Sequence, residues 1–400
     1  MKNFLVALGL MAGVVSQGAV DPQFSATGPQ ANSFGAAQGF PVGSIHTMEQ
    51  PQFLIGSYSH FDAIFPSRGV PHGEATWQFQ RAAQEPAITY EYDGKTNGIN
   101  DYLTHVAVTG LLVAKDDKIL VERYQYGRTD RDRFASASLA KTLVAMVLGA
   151  ESAEHPEFSV DKKAREFVPA LANSLYGGTT IRDLLHMRSG VEASDAQVIH
   201  GVFEPPAGGD AEMLKSFQER WAEPGTRFHY SCGDSETLGL VAQSLAGKTL
   251  TEYLSEKIWQ PIGAEEDASW AVDRSGQELA CFGFNATLRD WARVGRLLAF
   301  DGNWNGRQII PKQWVVNATA MGPGNEQVHG ARRLGYGYQV WILPGERRMF
   351  AMLGSGGQFV LLDPQSKLVM VQTAVGGDPM GPEGAETLRL WAAVVATLEK

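Results

Sequence analysis

Ser138-Leu139-Ala140-Lys141-Thr142-Leu143-Val144-Ala145-Met146-Val147-Leu148 sets a hydroxyl and an amine three positions apart at the head of an apolar run. Residues three apart in a helix share a face and lie one turn from each other. Nearly every position after Lys141 is apolar or small, so the helix predicted over 139–148 is buried and carries Lys141 inside with it. Burial disfavours the charged form of a lysine. A neutral amine can take the proton of a neighbouring serine, and a helix N-terminus favours the anion that results. The plain alternative is a serine that caps the helix and a lysine whose head reaches solvent. A second Ser-x-x-Lys, Ser159-Val160-Asp161-Lys162, lies in a charged stretch and reads as an exposed helix start.

On the N-terminal side of this helix, His105–Ala114 and Ile119–Tyr126 are apolar, β-branched runs joined by Lys115-Asp116-Asp117-Lys118, which predicts a hairpin. Beyond it, from about 150 to 300, the pattern is mostly helical, as in Ile181–Met187, Thr237–Leu245, Leu250–Trp259 and Thr287–Phe300. Strand-like runs return at Tyr336–Leu343, Met349–Leu353, Phe359–Asp363 and Lys367–Val375, followed by an amphipathic helix over 385–398. Strands at both ends with helices between predict an α/β (α+β) fold. Its antiparallel sheet is built from the two chain halves (about 99–150 and 300–400) and carries an inserted helical region at about 150–300.

Two more stretches carry candidate chemistry. Pro224-Gly225-Thr226-Arg227-Phe228-His229-Tyr230-Ser231-Cys232 runs from a turn through an extended piece into a helix, which puts Tyr230 just ahead of a loop. A phenol beside a cationic lysine becomes more acidic and can serve as a general base. His229 points to the opposite side of the extended piece and receives no role. Asp234 reads as an N-cap of the next helix, and Glu265-Glu266-Asp267 as a solvated turn. Gly354-Ser355-Gly356-Gly357-Gln358 lies between two predicted strands, where glycines let a substrate approach the backbone. A strand-edge N–H there could complete an oxyanion hole with that of Ser138. Gly-x-Ser-x-Gly, His-Glu-x-x-His and Cys-x-x-Cys do not occur, which removes the main support for an α/β-hydrolase elbow or a built-in metal site. No metal and no cofactor are expected.

Ser138-x-x-Lys141, then Tyr230-Ser231-Cys232, then the Gly354–Gln358 segment, in that order, resembles the serine β-lactamase and penicillin-recognising superfamily. It is most similar to the class C-like branch of esterases, D-aminopeptidases and 6-aminohexanoate-dimer hydrolases. Thr180–Gly190, Pro224–Gly239, Asn285–Arg293, Gly335–Trp341 and Gly354–Val360 extend the resemblance over roughly residues 100 to 375. It implies a serine hydrolase in which Ser138 forms an acyl-enzyme while Lys141 and Tyr230 move protons. The oxyanion hole would use the N–H of Ser138 and that of Ser355, with Gln358 the runner-up. Gly354, Gly356, Gly357 and Trp341 would line the substrate site, as would the segment Glu192–Glu219. Asn285 and Arg289 match the family pattern with a tying role. The chain departs from that pattern where a lysine or histidine often opens the third motif: Ser355 or a neighbour stands there. This favours an ester or linear amide substrate over a penicillin. Two other readings stand beside it: a penicillin-binding D-Ala peptidase or weak β-lactamase, and a non-catalytic exported binding protein on the same fold.

The whole chain has 400 residues, of which 44% are hydrophobic, 10% aromatic and 20% charged, the balance of a folded globular protein. A formal charge of −10 argues against nucleic acid as a partner, and a small-molecule substrate is expected instead. Met1-Lys2-Asn3, the uncharged run Phe4–Val15 and Ser16-Gln17-Gly18-Ala19 form a signal-peptide pattern over 1–19, and so predict export to the periplasm or beyond. No later run is long enough to span a membrane. Residues 20–98 lack periodicity yet contain Phe53-Leu54-Ile55 and Phe61, and read as an arm wrapping a 99–400 catalytic domain. An exported chain permits a Cys232–Cys281 disulfide; both cysteines read as incidental to catalysis, although Cys232, two positions past Tyr230, could tune that loop.

Overall fold

The structure is a computed structural model, which describes residues 20–203, 209–321 and 334–399. The expected leader at 1–19 and the run Glu204-Pro205-Pro206-Ala207-Gly208 lie outside the described residues.

The predicted hairpin is β1 (Val108–Lys115) and β2 (Lys118–Tyr124), paired antiparallel across a two-residue turn. Strand β1 starts later than the apolar run because Ile99–His105 is helical, its first turn held by the Asp101 carboxylate accepting the Gly98 N–H at 2.8 Å. The C-terminal runs form β3 (Phe350–Gly354), β4 (Gln358–Asp363) and β5 (Leu368–Ala374). Strand β5 pairs with β1, which joins the two chain halves in one antiparallel sheet of order β2-β1-β5-β4-β3. Trp341–Ile342 and Gly335–Tyr336 extend it beyond β3. Gln23–Phe24 and Gln80–Arg81 add short parallel pairings on β2.

These strands read as continuous apolar runs because both faces of the sheet are covered. Leu112, Val360, Val369 and Val371 face one core; Leu111, Val113, Leu361 and Met370 face the other. Helix Pro382–Leu398 lies on the second face, giving Leu390, Trp391 and Val394 to its core. Helix Leu288–Ala299 lies on the first. A Cβ at Gly295 would stand 2.6 Å from Val369 Cγ1, so a larger residue would lift that helix off the sheet. The sheet layer therefore takes in this helix, ahead of the expected boundary near 300.

The middle of the chain is less uniformly helical than expected. Ala268–Ala271 and Phe284–Ala286 are strands of a second, four-stranded sheet with Ser67–Val70 and Phe134–Ala135. Each is only two to four residues long and pairs with distant partners, so no local alternation announces it. The helices that matter for the site are α1 (Leu139–Glu151), α2 (Asp195–Phe203) and α3 (Cys232–Ala246). Residues from 20 to 98 pack over this body: Phe34, Leu54 and Ile55 close a small core with Tyr126 and Val375.

Candidate active site

Phe134–Ala135 ends its strand against Phe284–Ala286, and the chain then turns sharply into α1. Ser136 is held by Phe284 on both sides, its N–H donating to the carbonyl at 2.7 Å and its Oγ accepting the N–H at 3.1 Å. Ala137 takes a positive φ of 43°, a conformation that costs a β-carbon residue about 1–3 kcal/mol and persists only where its surroundings enforce it. Ser138 follows at the N-cap position of α1 and makes no side-chain cap, so the capping alternative is not what the helix adopts. Every residue of α1 is buried, and Lys141 is 1% exposed rather than reaching solvent.

The lysine head is fully occupied within the protein. Lys141 Nζ lies 2.9 Å from Ser138 Oγ, 3.0 Å from the Cys281 carbonyl oxygen and 3.6 Å from Cys232 Sγ. It also sits 4.8 Å above the ring of Tyr230. Tyr230 is half-buried in the extended stretch before α3, its ring stacked on Trp341 at 5.5 Å and edge-on to Tyr336 at 6.0 Å. Three sequence candidates thus meet at one point.

The third stretch arrives beside them. A Cβ on Gly354 would stand 2.7 Å from the Ser136 carbonyl oxygen and 3.0 Å from Ala137 Cβ, so only glycine lets β3 end so near the serine. Gly354, Ser355, Trp341, Ser138 and Tyr230 all line one cavity of about 810 Å³. Gln358, the runner-up, is placed differently. It opens β4 opposite Gly354, is buried, and latches Ala374 through both ends of its amide at 2.7 and 3.2 Å. Gly356 and Gly357 are also not in the cavity wall; with φ of 80° and 91° they make the β3–β4 turn.

Several residues hold positions that sequence reading did not assign. Tyr58, in the short helix Leu54–Ser59, reaches the cavity with its hydroxyl 3.3 Å from the Glu49 carboxylate. Burial and then the Glu49 charge push its phenol above the ordinary value, with the Ser355 hydroxyl pulling the other way. Met48, Phe61 and Phe65 stand in the same wall as Ile199 and Phe203 of α2, with the Phe65 ring stacked on that of Phe203 at 4.7 Å. The expected lining segment Glu192–Glu219 thus contributes through α2, and the arm contributes as well. The apolar character of Phe61 marked the arm for docking on the body, but no signal assigned these residues to a cavity wall.

Other expectations need correction. Asp234 is not an N-cap: it lies inside α3, buried, accepting the Ser189 hydroxyl at 2.6 Å and N–H at 3.2 Å. Burial pushes its carboxyl up to about 7, against the pull of those hydrogen bonds. Glu236, two residues on, accepts the N–H groups of Ala280 and Cys281 at 2.9 Å each; burial raises it to about 7, while these bonds and the Lys141 charge lower it. Glu265 is no solvated turn residue but binds Arg289 at 3.1 Å and Arg293 at 2.6 Å. Arg289 also grips buried Glu122 at 2.7 Å, and Asn285 donates to Ser269 Oγ at 3.2 Å, so both tie elements together. His229 packs its ring edge-on to Trp221, away from the lysine. Cys232 and Cys281 are bonded to each other, and both line the cavity. Among the described residues, no group of His, Cys, Asp and Glu is arranged to hold a metal ion, and no helix is long and apolar enough to cross a membrane.

A family model described as Beta-lactamase matches residues 99–394, a span that takes in Ser138, Lys141, Tyr230 and Ser355. The chain belongs to the beta-lactamase family. It is a hydrolase on that fold, with an antiparallel sheet flanked by helices. Its sequence is 28% identical over 362 residues to 6-aminohexanoate-dimer hydrolase of Paenarthrobacter ureafaciens, covering 86% of this chain and 91% of that one. A solved structure from Bacillus anthracis, provisionally assigned as a 6-aminohexanoate-dimer hydrolase, superposes with a TM-score of 0.80 at 26% identity, covering 88% of this chain and 96% of its own. A family VIII carboxylesterase shares the fold alone, with a TM-score of 0.57 at 19% identity over 72% of this chain and 92% of its own.

Proposed function

We propose that this protein hydrolyses a linear amide or a carboxylic ester through an acyl-enzyme on Ser138. The observation that carries the reading is the 2.9 Å approach of a buried lysine amine to a serine that caps nothing, at the wall of a large cavity. In acylation the Ser138 oxygen bonds to the substrate carbonyl carbon and its proton passes to Lys141, whose remaining donor stays on the Cys281 carbonyl. Tyr230, against the same amine, hands a proton to the departing amine or alcohol, and the pair then draws a proton from the water that frees the acid. The N–H groups of Ser138 and Ser355 hold the oxyanion.

The wall supports the choice of substrate class. Glu49, Asp195, Asp378 and His200 line the cavity with Phe61, Phe65, Ile199, Phe203 and Met380, and among the described residues that line it there is no lysine or arginine. Such a wall suits an aliphatic acyl chain, and its described residues bring no lysine or arginine to a penicillin carboxylate. The likeness to a 6-aminohexanoate-dimer hydrolase favours the amide over the ester. Export also belongs to this reading, since the Cys232–Cys281 bond is of a kind that persists outside the cytosol. The test is intact-mass analysis after a fluorophosphonate probe, with linear amides, short aryl esters and a chromogenic cephalosporin as the substrate panel. One adduct is expected on the wild type and none on Ser138→Ala. An adduct of equal yield on Ser138→Ala, or no adduct on wild type, overturns the nucleophile.

A further inference from the structure

We infer that the Cys232–Cys281 disulfide is a positioning element of the catalytic centre, holding Lys141 between its two half-cystines, and that a thiol which opens it turns the centre off. The inference rests on the Ser138–Lys141 reading above.

Lys141 Nζ touches both ends of the bridge, the Cys281 carbonyl at 3.0 Å and Cys232 Sγ at 3.6 Å. Cys232 opens α3 two residues after Tyr230, whereas Cys281 belongs to the loop that leads into Phe284–Ala286. Asp195 of α2 accepts the Cys232 N–H at 2.7 Å, and Glu236 of α3 accepts the Cys281 N–H at 2.9 Å, so a hydrogen bond also links the Cys281 loop to the helix that Cys232 opens. The bridge adds a covalent tie between that loop and the first residue of α3, next to the amine. Both half-cystines are buried, at 3% and 0% exposure, yet both form part of the cavity wall, and that wall is the route by which a small thiol reaches them.

Opening consumes two electrons and two protons. One thiol attacks a bridge sulfur and releases the other as a protein thiol; a second thiol resolves the mixed disulfide, and the reductant leaves as its own disulfide. Two consequences reach the amine. The Cys281 loop is then held to α3 by the Glu236 hydrogen bonds instead of a bond between sulfurs, so the spacing of the Cys281 carbonyl and the Tyr230 stretch loosens, and a misplacement of about 1 Å costs about a hundredfold in rate. In addition, an ionisable thiol replaces a neutral sulfur 3.6 Å from Nζ. As a thiolate it favours the ammonium form of Lys141, which cannot take the serine proton. Tyr230 beneath the amine, Glu236 behind the Cys281 loop and Asp195, which opens α2 and accepts the Cys232 N–H, also face this centre. They are present in both redox forms, so a change in pH profile on reduction reports the thiol.

The experiment compares oxidised protein with protein reduced by dithiothreitol, the state of the bridge being read by mass after alkylation. Ser138 labelling by a fluorophosphonate, kcat and KM on an aryl ester, and Tm are measured on both. Reduction is expected to slow labelling and lower kcat by at least about tenfold with KM within about twofold. It should also move the rising limb of the pH–rate profile to higher pH, and reoxidation should restore both. Cys281→Ala, which keeps a thiol beside the lysine, reproduces the pH shift. The Cys232→Ala/Cys281→Ala double variant loses kcat without the shift and ignores the reductant. The inference is overturned if reduced protein with its bridge verified open labels and turns over as fast as oxidised protein. A loss of activity that merely tracks loss of folded signal overturns it too. Oxidised protein that fails to label at Ser138 instead condemns the nucleophile reading beneath it.

Discussion

Gly354→Ala puts the proposed oxyanion hole under direct strain. The added Cβ would stand 2.7 Å from the Ser136 carbonyl oxygen, 2.9 Å from Leu139 Cδ1 and 3.0 Å from Ala137 Cβ. The leucine methyl can rotate, but the other two atoms are fixed to the main chain. Ordinary contact therefore demands that β3 and the Ser136–Leu139 segment part by roughly 0.7 Å. Neither side yields easily. Strand β3 is paired with β4 along its whole length, and Ser136 is bonded to Phe284 through both N–H and Oγ. The displacement thus concentrates at the free end of β3, where Ser355 follows. Overpacking of this size costs about 1–3 kcal/mol of stability, which a large fold survives. Moving one oxyanion donor by most of an ångström costs about a hundredfold in kcat. Steady-state kinetics on an aryl ester and urea unfolding of the same preparation measure the two effects separately. The expected variant is folded, slightly less stable, near normal in KM and about a hundredfold slower. A variant destabilised by 1–3 kcal/mol that keeps kcat within about threefold of wild type would refute the pairing of Ser138 with Ser355.

Tyr230→Phe keeps the ring that stacks on Trp341 and removes only the hydroxyl, so Tm should hold within a few degrees while kcat falls by about 10²–10⁴. Equal turnover would remove Tyr230 from proton transfer. Asp234→Asn tests the buried carboxyl, whose ordinary value of 3.8 is raised to about 7 by desolvation. The folded state holds that proton in a range where the unfolded chain releases it, so its contribution to stability is complete below about 3.8 and is lost as pH rises through about 7. Urea unfolding from pH 4 to 7.5 should show stability falling with pH less steeply in the variant than in wild type. Part of the slope remains with Glu236, which titrates in the same range. Identical slopes would show that Asp234 does not titrate there.

What the sequence disclosed follows the range of the interactions. The burial of Lys141 was legible because it depends on the apolar residues of its own helix, and the structure encloses all of α1. The C-terminal strands were legible because each is a continuous apolar run covered on both faces. Charged residues were misread where their partners are distant in the chain. Glu265 looks solvated until Arg289 and Arg293 come back to it one turn apart on the same helix. Asp234 looks like a cap until Ser189 is brought against it from 45 residues away. Short strands such as Phe284–Ala286 fail for the same reason, since three residues carry no periodicity and only their partners define them.

The same division separates the reaction from its substrate. Ser138 and Lys141 are three residues apart on one helix, and their contact of 2.9 Å needs little from the rest of the fold beyond a dry surrounding. A short motif can therefore announce the reaction. The cavity wall is assembled otherwise: Tyr58 and Phe61 come from the arm, Ile199 and Phe203 from α2, Trp341 from the far edge of the sheet, and Met380 from the approach to the last helix. None of these residues lies near another group's contributors in the sequence, and none belongs to a run whose periodicity marks it for a pocket. Substitutions in that wall alter what fits without touching the serine–lysine pair. On the proposed reaction, a change in these walls alters the acyl group accepted while the serine–lysine pair stays, and for this chain selectivity is to be sought in the walls that the arm and α2 supply.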